Sequence, residues 1–185
     1  WDGEFGLYDD SFIDRLIELV SSVHDNDCLI FAQLFHGGMR APESLTGKIP
    51  MSASKIPCKE SSSGYTHPAS VQDINNIIKD FSLAAERCVK SGFDGIELHG
   101  AHGYLISQFL GKKTNLRNDD WGGDIIGRSK FLIEILRSIK KSVPKSFIVG
   151  VRISPEIEEL GICLGDSIDL AKLLRDEGID FLHLS

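Results

Sequence analysis

The sequence predicts an α/β fold in which βα modules repeat around a parallel sheet. Three observations carry this. Strand-like and helix-like segments alternate along the 185 residues, the order expected of βα units. The strand segments are aliphatic almost throughout, as strands covered on both faces are. Two stretches also echo each other. Gly92-Phe-Asp-Gly-Ile-Glu-Leu-His and Gly178-Ile-Asp-Phe-Leu-His-Leu-Ser both run helix-stopping glycine, apolar residue, aspartate, strand. An open doubly wound sheet and a (β/α)8 barrel both fit that order. A barrel takes about 250 residues. Four strands, one of them at the very C-terminus, match the middle of a barrel truncated at both ends, a single domain over residues 1–185.

The elements follow in order. WDGEFGLYDD reads as a loop running into a helix. From Asp10 to Asp25, Phe12, Ile13, Leu16, Ile17, Leu19 and Val20 fall on one helical face. CLIFAQLF is an apolar run broken only by Gln33, the pattern of a strand buried on both faces. Gly37 to Ala69 is rich in Ser, Pro, Gly and Lys and is too long for an ordinary connection; such loops are often lids or binding loops. Ser70 and Asp73 have the spacing of a capping box. The helix behind them carries Ile74, Ile77, Ile78, Phe81, Ala84, Ala85 and Cys88 and stops before Gly92. GIELH is the second strand, Phe131 to Val143 a helix, FIVGVRIS the third strand. Ser167 to Glu177 is a helix closed by Gly178, and FLHLS is the fourth strand.

Side chains alternate across a strand, so each strand has two characters. Ile30, Ala32 and Leu34, then Ile96 and Leu98, then Val149, Val151 and Ile153, then Leu182 and Leu184 form aliphatic faces suited to an outer helix layer. The opposite faces turn polar toward the C-terminal strand ends, at Gln33, His99, Arg152 and Ser185. Buried polar groups without partners cost a few kcal/mol each. Four of them at one end imply a ligand or a network, and in parallel α/β folds that end is where sites lie. Gly150 on the same face suggests room for a flat ligand against the backbone.

Bulk properties narrow the function classes. Hydrophobic residues at 42% and charged residues at 25% are globular proportions. A net charge of −7 argues against a general nucleic-acid binder. No apolar run approaches the ~20 residues of a membrane span, and no secretory leader is visible. Cys28, Cys58, Cys88 and Cys163 are scattered. They read as small core thiols of a reduced, cytoplasmic protein rather than a disulfide framework. The partner expected is a small-molecule substrate, with neither nucleic acid nor membrane; a homo-oligomer of the complete protein stays open.

HGAHGYLISQF, His99 to Phe109, is the densest chemistry in the chain. Two histidines three residues apart and a tyrosine stand where a strand hands over to a helix. Read alone, His99 and His102 could share a zinc ion or grip an anionic oxygen. No third Cys, His or Asp obviously converges, and no metal is assigned.

The stretch GFDGIELHGAHGYLISQFLGKKTNLRNDDWGGDIIGRSKFLIEIL resembles the signature region of the old yellow enzyme family, the FMN-dependent NAD(P)H:flavin oxidoreductases. QLFHGGMR is similar to that family's third-strand motif and VGVRIS to its fifth-strand motif. The resemblance covers nearly the whole chain. It implies a (β/α)8 TIM barrel with FMN over its C-terminal mouth, of which this chain spans about strands three to six of eight. Strands one, two, seven and eight, and the family's Gly-rich phosphate-binding segment, fall outside these 185 residues, which are expected to be inactive alone. Three departures stand out. Met39 occupies the place where many relatives have Arg, with Arg40 one residue late, and Arg40 is given no role. Gly127-Arg128 replaces the usual Asn-Arg. LHLS carries a histidine where relatives vary.

The resemblance also implies roles. Arg152 and Gln33 bind FMN, the first favouring the reduced anion and the second matching the flavin's alternating C=O and N–H edge. Without the resemblance Arg152 reads as an ion pair with Glu97 and Gln33 as a satisfied core amide. His99 and His102 donate to the carbonyl oxygen of an activated alkene, and Tyr104 supplies the proton. NAD(P)H is the reductant. His36 flanks the cofactor or simply packs its loop. Trp121 shapes a turn, and Lys112, Lys113, Arg117, Asp119 and Asp120 read as a solvated loop with local ion pairs. Two other classes stay in view: a metal-dependent barrel hydrolase built on the histidine pair, and a catalytically inactive barrel fragment acting in assembly.

Overall fold

A computed structural model describes residues 5–185, so the first four residues of the opening loop lie outside the described residues. A 3-10 turn, Asp10–Phe12, leads into α1 (Ile13–His24). Then come β1 (Phe31–Leu34), a short α2 (Glu43–Thr46), β2 (Met51–Ser52) and β3 (His67–Pro68). These are followed by α3 (Val71–Lys90), β4 (Gly95–Gly100), α4 (Leu105–Leu110), α5 (Ile125–Ser142), β5 (Ile148–Ile153), α6 (Leu164–Asp176) and β6 (Phe181–Leu184).

Strands β1, β4, β5 and β6 form one all-parallel sheet in that order, each joined to the next by a crossover carrying at least one helix. On its outer face Ile96, Leu98, Val149, Val151 and Ile153 are at most 2% exposed, packed with Phe81, Ala85, Phe131, Ile135 and Leu136 of α3 and α5 in one core. Burying each such side chain is worth about 1.5–3 kcal/mol, which explains why the aliphatic faces could be read in advance. The inner face is different. Phe31 and Phe35 are more than a third exposed, and Gln33 and His183 lie open. CLIFAQLF is therefore covered on one face only among the described residues, and its strand is four residues long.

The internal echo has a structural cause. At the end of α3, Gly92 takes φ +86°, and at the end of α6, Gly178 takes φ +72°. Left-handed conformations of this kind cost glycine little. Two residues on, Asp94 accepts from the Ile30 N–H (2.8 Å) and Asp180 from the Val149 N–H (2.7 Å). Each aspartate thus ties its own strand to the start of the neighbouring one. The capping box forms as read: Ser70 Oγ accepts from Asp73 N–H, and the Asp73 carboxylate accepts from Ser70 N–H.

Some local readings are revised. Residues 37–69 are not a bare loop but hold α2 and the small parallel β2–β3 ladder. Arg117 is not part of a solvated loop. Its guanidinium donates to the carbonyls of Ala53 (3.1 Å) and Ala69 (2.5 Å) and pairs with Asp119, stapling the 37–69 segment in place. Only Cys58 and Cys88 are buried thiols; Cys28 and Cys163 are exposed. Trp121 is buried under the Lys130 ammonium, 4.8 Å from its ring centre.

Candidate active site at the histidine turn

Register brings the site together. His99 at the end of β4 lies opposite Arg152 of β5, and Arg152 opposite His183 of β6. All three point to the inner face. One row deeper, Gln33 lies opposite Glu97, and Glu97 opposite Gly150.

After β4 the chain makes a left-handed turn, with His102 at φ +57° and Gly103 at φ +77°. A histidine there is uncommon and persists only when its surroundings hold it. The holding groups are side chains. His102 N–H donates to Ser154 Oγ (3.1 Å), Arg40 Nη1 donates to the His102 carbonyl (3.0 Å), and Gln108 Nε2 donates to the Gly103 carbonyl (2.7 Å). Gln108 is fully buried, and its Oε1 accepts from Met39 N–H (3.1 Å). Leu105 N–H donates to the His36 carbonyl (3.0 Å). The segment after β1 is thus bolted to the turn that presents the histidines. The sequence assigns neither Gln108 nor Arg40 this part: Gln108 goes unremarked there, and Arg40 is noted only as a shifted motif residue without a role. Gln108 sits in an apolar helical run and Arg40 one place off the familiar motif, so neither gives a local signal.

The turn gathers four rings. His99 lies 5.0 Å from His102 and 4.8 Å from Tyr104, both edge-on, and Phe35 lies 5.2 Å from Tyr104. His99 is 5% exposed. Burial, reinforced by the positive fields of His102 and Arg152, pushes its pKa down to about 4. The pKa of His102 is also lowered, first by burial, then by Arg152 and Arg40. Both rings are therefore neutral near pH 7. His99 Nδ1 accepts from Ala101 N–H (3.2 Å), which leaves the ring proton on Nε2. Ser185 Oγ accepts from Arg152 Nη2 (2.6 Å) and lies 2.8 Å from His102 Nε2, so its own hydrogen can go to that nitrogen and leave Nδ1–H as the free donor.

The deeper row is a second network. Glu97 accepts from Gln33 Nε2 (2.5 Å) and pairs with His183 Nδ1 (2.8 Å). The ion pair weighed between Arg152 and Glu97 does not form; Arg152 turns instead to Ser185, and its buried Nε has no partner. Gly150 is not a berth for a flat ligand. Its missing side chain is replaced by the Phe181 ring, which a Cβ there would meet at 2.1 Å. His36 is half-buried behind the turn, its pKa lowered by burial, and its Nδ1 accepts from Gly38 N–H (3.1 Å). Among the described residues no three His, Cys, Asp or Glu side chains gather as a metal site.

Away from the inner face, Arg128 is fully buried. It donates to the Gly123 and Leu110 carbonyls and to Asp166. Gly127 beside it approaches the Gly122 carbonyl so closely that a Cβ would sit 2.0 Å from that oxygen. The glycine at this departure from the usual Asn is required by this backbone.

Comparison with known proteins agrees with this geometry. The model of the NADH:flavin oxidoreductase / NADH oxidase family matches residues 1–184. The chain is 37% identical to an NADH-dependent flavin oxidoreductase of Aspergillus parasiticus, over 97% of this chain and 41% of that protein. It superposes on an old yellow enzyme homologue from Zymomonas mobilis with a TM-score of 0.88 and 30% identity, over 97% of this chain and 54% of that one. Against morphinone reductase in complex with tetrahydroNAD the TM-score is 0.87 at 27% identity, over 97% and 55%. The chain thus spans less than half of the curated relative and little more than half of the solved ones. Its four-stranded parallel sheet is part of a (β/α)8 barrel.

Proposed function

This chain belongs to the NADH:flavin oxidoreductase / NADH oxidase family, and on that premise we propose that the complete protein is an FMN-dependent NAD(P)H oxidoreductase that reduces activated alkenes, with His99 and His102 gripping the substrate's carbonyl oxygen. The observation that carries this reading is the pairing of two neutral, oriented imidazoles with a tyrosine and an incompletely satisfied arginine on one face of the sheet.

The residues fit the cofactor. Arg152 offers a buried N–H without a partner and a fixed positive charge, suited to the anionic pyrimidine edge of a reduced flavin. Gln33 commits its amide nitrogen to Glu97, which leaves its carbonyl oxygen to accept from an N–H of the ring. FMN held by Arg152 and Gln33 and reduced by NAD(P)H would supply the hydride for the β-carbon of an enone or enal.

The chain's own groups do the rest. His99 Nε2–H and His102 Nδ1–H polarise the carbonyl oxygen and hold the negative charge that grows there as hydride arrives. Removing one such donor typically costs about 10²–10³ in rate. Both rings being neutral, they donate without transferring a proton at pH 7. The Tyr104 hydroxyl protonates the α-carbon, and solvent returns its proton. Phe35 packs beside the Tyr104 ring.

The test uses the complete reading frame. The visible spectrum is recorded before and after anaerobic NAD(P)H, then turnover of an enone is followed in wild type, His99→Asn, His102→Asn and Tyr104→Phe. A flavin band bleached by NAD(P)H, with turnover lost about 10²-fold or more in the histidine variants, supports the reading. A protein that cannot be reconstituted with FMN, or histidine variants that turn over normally, refutes it.

A further inference from the structure

Arginines 87, 117, 128, 137 and 175 each pair with a carboxylate within 4.0 Å. Arg40 pairs with none among the described residues. Its only hydrogen bond there uses Nη1, on the His102 carbonyl, and its guanidinium carbon lies 5.4 Å from the Tyr104 ring centre. The side chain is exposed. An unpaired cation therefore stands beside the group proposed to bind the substrate oxygen and the group proposed to protonate its carbon. The chain as a whole carries a net charge of −7, so this local excess of positive charge runs against the background field. Arg152, the other site arginine without a carboxylate, is accounted for by the cofactor. Arg40 is not.

We propose that Arg40 is a specificity residue that receives an anionic substituent of the substrate, so that the preferred substrates are activated alkenes carrying a carboxylate in addition to the carbonyl held by His99 and His102. This rests on the oxidoreductase reading for the reaction, but not for the binding. With Nη1 committed to the backbone, Nε and Nη2 remain as donors. A guanidinium edge of this kind accepts a carboxylate by two parallel hydrogen bonds, and an ammonium does not reproduce that fork. Arg40 also sits on the 37–69 segment, which Arg117 pins, so the cation is carried by an ordered element and pre-positioned by its own bond to His102.

The test is a discrimination ratio, because loss of the bond to His102 can slow every substrate alike. In the complete protein, kcat/KM is measured for 4-oxopent-2-enoate and for its methyl ester, in wild type, Arg40→Gln and Arg40→Lys. Separately, calorimetry compares 4-hydroxyphenylacetate with 4-hydroxyphenylacetamide, which needs no turnover. Wild type is expected to prefer the anionic member in both pairs. Arg40→Gln should lower that preference about 10- to 100-fold, the loss of a charge-assisted contact, mainly through KM, with Arg40→Lys between. A parallel loss for both members, leaving the ratio unchanged, would show a purely structural clamp and overturn the proposal. So would a wild type that binds acid and amide equally. A protein without flavin sinks the oxidoreductase reading by itself, while the calorimetric ratio still decides Arg40.

Discussion

Replacing Gln108 with leucine is the sharpest test of how the histidine turn is held. The substitution roughly conserves volume and removes both polar ends of a fully buried side chain. Two groups then lose their partners: Met39 N–H, 3.1 Å from Oε1, and the Gly103 carbonyl, 2.7 Å from Nε2. A buried donor or acceptor left unsatisfied costs about 1–3 kcal/mol. For two such groups the expected destabilisation is therefore about 2–6 kcal/mol. The lining also matters: Gly38, at φ +59°, lies flat against the Gln108 amide, and a Cβ there would meet it at 2.5 Å. Branched leucine methyls press on that same surface. The assay is urea unfolding of the complete protein, paired with calorimetric binding of a phenol that the His99–His102 pair would grip. If Gln108→Leu shifts stability by less than about 1 kcal/mol and phenol binding is unchanged, the turn is held by something other than these bonds.

Two further predictions follow from charge. His99 is held neutral down to about pH 4, against an ordinary value near 6.5. Between those values the unfolded chain binds a proton that the folded one refuses, so stability should fall as pH drops from 6.5 toward 4, by at most about 3 kcal/mol for the full shift. Urea midpoints measured over that range should lose this slope in His99→Leu, and a slope of equal size in the variant would refute the assignment. Arg128→Met should destabilise by about 3 kcal/mol or more, because it strips a buried cation from Asp166 and from the Leu110 and Gly123 carbonyls. Thermal unfolding that leaves the variant within a degree or two of wild type would contradict it.

Period and punctuation determined much of this protein directly. The alternation of helical and strand segments, the glycine stops at Gly92 and Gly178, the Ser70–Asp73 cap and the split of each strand into an aliphatic and a polar face all depend on neighbours within a few residues. They were legible because local backbone geometry and burial of one face enforce them. The histidine turn was legible as well, since His99, His102 and Tyr104 lie within six residues of one another. What tertiary structure alone decided are contacts across 30 to 90 residues. Strand register brought Arg152 to Ser185 rather than to Glu97, and gave Glu97 to Gln33 and His183. The same register laid the Phe181 ring over Gly150, filling a gap that looked fit for a ligand. The fold of residues 37–69 decided that Gln108 and Arg40 would hold the turn, and that Arg117, charged and seemingly a solvated loop residue, would be a half-buried staple. A polar side chain declares no partner in sequence; its partner is chosen by where the aliphatic faces, once buried, leave the backbone.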